Sequence, residues 1–226
     1  NNLFPNARII RMDKDTTSNK GSHSKIINDF SDFKYDILLG TQMISKGLDF
    51  PKVSLVGVIN ADTTLNVPDY KSNENTFALL NQVAGRAGRK DILGEVILQT
   101  FNIDNTTLNY VKSNNYLNYY NYEMDIRRTL KYPPYVYLCS LKVVGKNYEE
   151  ASKEANKVKE YLKDNLKNNE IILGPTTSLL FKIKNMYRFQ IIIKYKKEQE
   201  LVDVLKELDD LYKLNRRIYL EIDLNA

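Results

Sequence analysis

Short apolar runs of strand length, set between segments of helical rhythm, most constrain the first half of this 226-residue chain. Residues 7–13 read as a short strand ending in polar Asp-Lys-Asp-Thr-Thr, and residues 36–39 as a buried strand closed by Gly40. Residues 53–59 and 95–100 are two more. Between them, residues 20–30 place Ile26, Ile27 and Phe30 at helical spacing, and residues 74–84 predict a second helix. Strands alternating with helices imply an α/β fold with a parallel sheet, whose ligands sit at the carboxyl ends of its strands.

The rhythm then changes. A Tyr-rich helix over 115–129 has to stop before Lys131-Tyr132-Pro133-Pro134, because paired prolines cannot continue it. We place a domain boundary along that helix, giving domains 1–124 and 125–226. Residues 135–144 alternate, with Tyr135, Tyr137, Cys139, Leu141 and Val143 on one face. Residues 148–166 are amphipathic, strands follow at 179–183 and 187–195 around a tight turn at Asn185, then a helix at 200–214 and a strand at 218–223. The order β-α-β-β-α-β is that of a smaller α+β, ferredoxin-like domain. Lys142, Lys182, Lys184, Arg188, Gln190 and Lys194 alternate opposite the apolar positions. They would form a basic sheet face that tracks phosphates, meets solvent, or is covered by a neighbouring domain.

Composition narrows the function classes. One cysteine, Cys139, and one histidine, His23, can build neither a disulfide framework nor a zinc site, and both fit a reducing cytoplasm. A net charge of +5 is compatible with nucleic-acid binding. No apolar run approaches the roughly 18 residues of a membrane span, and the opening Asn-Asn-Leu-Phe-Pro lacks signal-peptide character. The absence of an initiator Met leads us to expect a piece of a longer protein.

Two motifs carry chemistry. Gly40-Thr41-Gln42-Met43-Ile44-Ser45-Lys46-Gly47-Leu48-Asp49-Phe50-Pro51 directly follows a buried strand. Its glycines let backbone approach a phosphate, and Thr41, Gln42, Ser45 and Lys46 can hydrogen-bond to one. Asp49 could meet a sugar hydroxyl or a partner arginine. The plainer alternative is a strand-to-helix turn with a glycine cap. Gln82-Val83-Ala84-Gly85-Arg86-Ala87-Gly88-Arg89 ends a helix and places Arg86 and Arg89 three apart. A guanidinium is a permanent forked cation suited to charge developing on a transferring phosphoryl group. The alternative is a surface helix end with cations on its dipole.

In this order within one α/β lobe, the pair resembles motifs V and VI of superfamily 2 helicases. The run from Gly40 to Pro51, Asp62, Lys71-Ser72-x-Glu74-x-Thr76-Phe77, the Gln82–Arg89 block and residues 94–100 are similar to the primosomal protein N′ (PriA) family. So are residues 11–17, Arg127-Arg128-x-x-x-Tyr132-Pro133-Pro134-Tyr135, and the closing Glu221-Ile222-Asp223. The resemblance implies a RecA-like second helicase lobe, ATP-dependent 3′-to-5′ unwinding, and recognition of stalled replication forks with primosome assembly. It implies forked and single-stranded DNA, single-strand-binding protein and helicase-loading proteins as partners of a cytoplasmic, nucleoid-associated monomer. Carried residue by residue, it assigns transition-state stabilisation to Arg89 and Arg86, and nucleotide contact to Gln82, Asp49 and Gly47. DNA contact falls to Thr41, Gln42, Ser45 and Lys46.

Neither a Gly-x-x-x-x-Gly-Lys-Ser/Thr loop nor an acidic Walker B box occurs in the chain, so ATP and Mg²⁺ would be held mainly by a first lobe outside it. The family's zinc-binding cysteine cluster is not present in this sequence either, and no metal ligand set is assigned. The competing expectations are a non-catalytic module binding fork DNA or a protein partner, and another repair branch of superfamily 2.

Overall fold

The computed structural model describes residues 4–41, 44, 50, 52–85, 87, 94–166 and 170–224. The chain divides into two compact units, Asn1–Tyr119 and Tyr120–Ala226.

The first unit contains β1 (Ile9–Met12), α1 (Ser22–Ser31), β2 (Ile37–Gly40), β3 (Leu55–Val58), α2 (Asp62–Leu65), α3 (Ser72–Ala84), β4 (Glu95–Leu98) and α4 (Thr106–Lys112). All strand pairing here is parallel, as alternation with helices requires. Among the described residues the strands pair as two ladders, β1 with β2 and β3 with β4, rather than as one continuous sheet. Met12 and Ile26 are buried beneath the first ladder. Phe77, Leu80, Leu108, Val111 and Tyr119 form the core at the second. The rings of Phe77 and Tyr119 stack with centroids 3.9 Å apart. Helix α4 escaped the sequence reading because it is short. Its signal was Asn105, whose side chain accepts a hydrogen bond from the Leu108 amide at 3.2 Å, an N-cap.

Helix α5 (Tyr116–Leu130) carries the division between the units. It stops where Lys131 turns to a left-handed φ of 54° ahead of the prolines.

The second unit continues with β5 (Tyr137–Gly145), α6 (Tyr148–Asn165), β6 (Ile171–Ile183), β7 (Met186–Tyr195), α7 (Glu198–Tyr212) and β8 (Ile218–Asp223). The four strands form one antiparallel sheet in the order β6-β7-β5-β8. Two helices pack on one face because their buried positions recur at helical spacing. On α6 these are Ala151, Ala155, Val158 and Leu162, and on α7 Leu201, Leu205 and Leu208. Opposite them lie Cys139, Leu141 and Val143 of β5 with Ile191 and Ile193 of β7, all fully buried. Asn147 caps α6 by accepting from the Glu150 amide, and Glu149 and Glu150 follow in the first turn, where acidic side chains favour the dipole. Lys184 and Asn185 adopt φ of 48° and 62°, the paired positive values of a tight hairpin turn, as expected around Asn185. Strand β6 begins eight residues earlier than the 179–183 segment expected from alternation. A bend at Gly174 and a bulge before Lys182 break its period of two, so alternation marked only the distal end.

Candidate functional site

The parallel register pairs Met12 with Gly40, so the chain leaves β1 and β2 at adjacent carboxyl ends. Only glycine fits at position 40. A Cβ there would stand 2.6 Å from the Met12 carbonyl oxygen and 2.7 Å from Cγ2 of Ile44. This close approach launches the loop that carries the first motif. Thr41 is exposed, and its carbonyl accepts from the Ile44 amide at 3.1 Å. Ile44 and Phe50 turn back onto the Met12–Ile26 core, and the Phe50 ring meets Phe30 edge-on at 4.9 Å. Both flanks of the motif are therefore tied down by apolar contacts. Gln42, Ser45, Lys46, Gly47 and Asp49 lie outside the described residues.

Asp13 directly follows β1 and is 7% exposed. Its carboxylate accepts from the Thr16 amide at 3.0 Å and pairs with the Arg11 Nε. The Thr16 amide, with help from Arg11, holds the acid below the usual carboxylate range against the opposing effect of burial. Asp13 thus shapes its own turn and is not turned outward toward a ligand.

The second motif begins on the last turn of α3. Burial of Ser72, Thr76, Phe77 and Leu80 fixes that helix by one side, and Gln82 is exposed. The helix ends at Gly85, whose amide donates to the Asn81 carbonyl at 3.0 Å. Arg86 and Arg89 lie outside the described residues, as does Gly88. Of the residues assigned a role from sequence, the structure describes Thr41 and Gln82, both open to solvent.

Asp62 was quoted from sequence without a role. It is 8% exposed and accepts from the Thr100 hydroxyl at 2.7 Å and the Phe101 amide at 2.9 Å. It stitches the start of α2 to the end of β4. The neighbouring Asn60 offered a signal, since its side chain accepts from the Asp62 and Thr63 amides.

In the second unit the proposed basic sheet face divides. Lys194 is buried, donates to the Leu130 carbonyl at 2.8 Å and lies 3.6 Å from the centroid of the Tyr132 ring. Burial, and secondarily Lys131, lowers its pKa. Arg188 makes a bidentate pair with Glu221, both contacts at 3.0 Å, and Gln190 donates to Ser140 at 2.9 Å. These three are spent on the fold. Alternation placed them on the right side of the sheet but could not show what else lay there.

The Arg127-Arg128-x-x-x-Tyr132-Pro133-Pro134-Tyr135 stretch forms a clasp. Arg127 is buried, pairs with buried Glu123 at 2.9 Å, and donates to the Pro133 carbonyl at 3.3 Å. Arg128 is exposed and donates to the Tyr135 hydroxyl at 3.2 Å. Among the described residues no group of three or more His, Cys, Asp or Glu side chains is gathered to hold a metal. No described helix is long and apolar enough to cross a membrane.

Two family models match the chain. Residues 2–91 match the helicase conserved C-terminal domain, and residues 128–225 match the primosomal protein N C-terminal domain. Replication restart protein PriA of Bacillus subtilis (strain 168) is 46% identical over 226 residues, covering 99% of this chain and 28% of the relative. Those of Chlamydia pneumoniae and Borreliella burgdorferi are 36% and 35% identical, covering 99% and 98% of this chain and 30% and 33% of their own lengths. The chain thus spans about a third or less of these relatives. With a helicase C-terminal match and a primosomal-protein C-terminal match in one continuous alignment, the chain belongs to the replication restart protein PriA family.

Proposed function

We propose that this chain supplies the second motor lobe and the C-terminal domain of an ATP-dependent 3′-to-5′ DNA helicase. That helicase would recognise stalled forks and restart replication by primosome assembly. The observation that carries the proposal is the Gln82-x-x-Gly85-Arg86-x-Gly88-Arg89 motif, which issues from the end of α3 within the helicase-matched residues. We read residues 1–124 as a RecA-like lobe and 125–226 as a ferredoxin-like domain. The order β6-β7-β5-β8, with a helix after each of β5 and β7, supports the latter.

ATP and Mg²⁺ would be held mainly by a first lobe outside this chain, with phosphoryl transfer as the chemistry supplied. Exposed Gln82 fits a nucleotide-facing role, since its amide is open beyond the buried side of α3. Arg89, with Arg86, would place positive charge where negative charge develops in the transition state. Gly47 and Asp49 would border the nucleotide. Thr41, Gln42, Ser45 and Lys46 would grip the DNA backbone, and the close fit at Gly40 would fix that loop to the strand ends. Forked and single-stranded DNA, single-strand-binding protein and helicase-loading proteins would be its partners, in the cytoplasm and as a monomer.

The test is Arg89→Ala in the full-length protein. DNA-stimulated ATP hydrolysis should fall by about three orders of magnitude or more, with DNA affinity little changed. An unchanged hydrolysis rate would refute the assignment.

A further inference from the structure

Domains of one chain are by default joined through exposed, flexible linkers, which leave each free to move alone. Here the division between the two units falls inside α5, a 15-residue helix that contains neither Gly nor Pro. Asn115 caps it, its side chain accepting from the Asn118 amide at 3.1 Å. Of the residues of α5 only Tyr119, Glu123 and Arg127 are buried, at 3%, 6% and 9% exposure. Successive steps of four keep the three on one face of the helix.

The two ends of this buried stripe are anchored in different units. At the first, the Tyr119 ring stacks on Phe77 of α3, the planes 2° from parallel, with Tyr110 edge-on at 6.0 Å. Phe77 lies on the buried side of α3, less than two turns before Gln82 and the motif that follows it. At the other end, Arg127 pairs with Glu123 and donates to the Pro133 carbonyl, and the Leu130 carbonyl accepts from Lys194 of β7. Packed side chains, buried ion pairs and rigid helices are the physical carriers of coupling between distant sites.

We propose that α5 is the transmission element of the motor. Displacement of α3 as the lobe closes on nucleotide would pass through Tyr119, Glu123 and Arg127 to β7 of the second unit. The proposal rests on the motor reading above and gives the arginine-proline stretch at 127–135 a role as the receiving end. A plain tether needs no buried face, and the stiffness of its exposed positions is immaterial to what lies beyond it. A transmission depends on that stiffness, because a helix that bends between its anchors absorbs the displacement.

The experiment uses the full-length protein with substitutions between the anchors, at exposed Tyr120 and Asn121. Y120G/N121G loosens the helix there, and Y120A/N121A removes the same side chains while keeping it stiff. Circular dichroism checks each variant's fold, and hydrogen exchange is read with and without a non-hydrolysable ATP analogue. In wild type and Y120A/N121A the analogue should slow exchange about threefold or more in α3, in residues 127–135 and in β7. In Y120G/N121G the response in α3 should remain while that in residues 127–135 and β7 is lost. A wild-type response confined to α3 overturns the proposal, as does an undiminished response throughout Y120G/N121G. Loss of the distant response in Y120A/N121A as well overturns helix stiffness as the carrier. No response in α3 of the wild type, or unchanged hydrolysis in Arg89→Ala, removes the motor reading itself, an outcome distinct from the others.

Discussion

Replacing Glu123 asks what the arginine-rich signature near the domain boundary is for. Glu123 and Arg127 are 6% and 9% exposed and bonded at 2.9 Å, and the second carboxylate oxygen, Oε2, is buried without a hydrogen bond. Water contributes little to either charge, so each depends on the other. In Glu123→Leu the guanidinium keeps its 3.3 Å contact to the Pro133 carbonyl but loses its bond to the Glu123 carboxylate. Stranding one member of a buried pair costs about 3–5 kcal/mol. Replacing both, as Glu123→Leu with Arg127→Met, removes the desolvation penalty together with the attraction, so the double variant should lose less than either single one. Native-state hydrogen exchange on peptides from β5, β7 and β8 reads this directly. A loss of 3–5 kcal/mol accelerates exchange through unfolding by about two to nearly four orders of magnitude. If the double variant loses the sum of the two single losses, the pair is not a mutually dependent buried unit and the reasoning fails.

Two further outcomes follow from the second unit. Gly174 has φ +99°, and a Cβ there would lie 2.6 Å from the Gln190 carbonyl oxygen, a backbone atom that cannot swing aside. Gly174→Ala should therefore destabilise the β6–β7 pairing by about 2–4 kcal/mol, and a urea midpoint equal to wild type would contradict this. Burial, with the charge of Asp223, pushes the Cys139 thiol up to about 12. The unfolded thiol ionises near pH 9 while the folded one keeps its proton, so this contribution is complete below about pH 9 and is lost as pH rises toward 12. Ellman's reagent should label Cys139 only on unfolding, and Cys139→Ala should show a shallower loss of stability between about pH 9 and 11. Rapid labelling of the native chain would contradict the burial.

Sequence alone determined the kind and order of nearly every long element, because those signals are local. The spacing of Ala151, Ala155, Val158 and Leu162 specifies a helix wherever it is placed, and alternation from Tyr137 to Val143 specifies a strand. The helicase motifs were legible for the same reason, being contiguous runs. Tertiary structure decided what the polar residues do, because that depends on partners distant along the chain. Lys194 and Lys142 share a sheet face by alternation, yet Lys194 is consumed by Leu130 and Tyr132, about sixty residues earlier. Arg188 is consumed by Glu221, while Lys146 and Lys184 remain free among the described residues. Gly40 looked like a motif residue and is also a packing necessity, visible only once Met12 lies beside it. Leu179 and Leu180 read as strand interior until the cross-strand register with Phe189 and Tyr187 left them no partner and turned them outward.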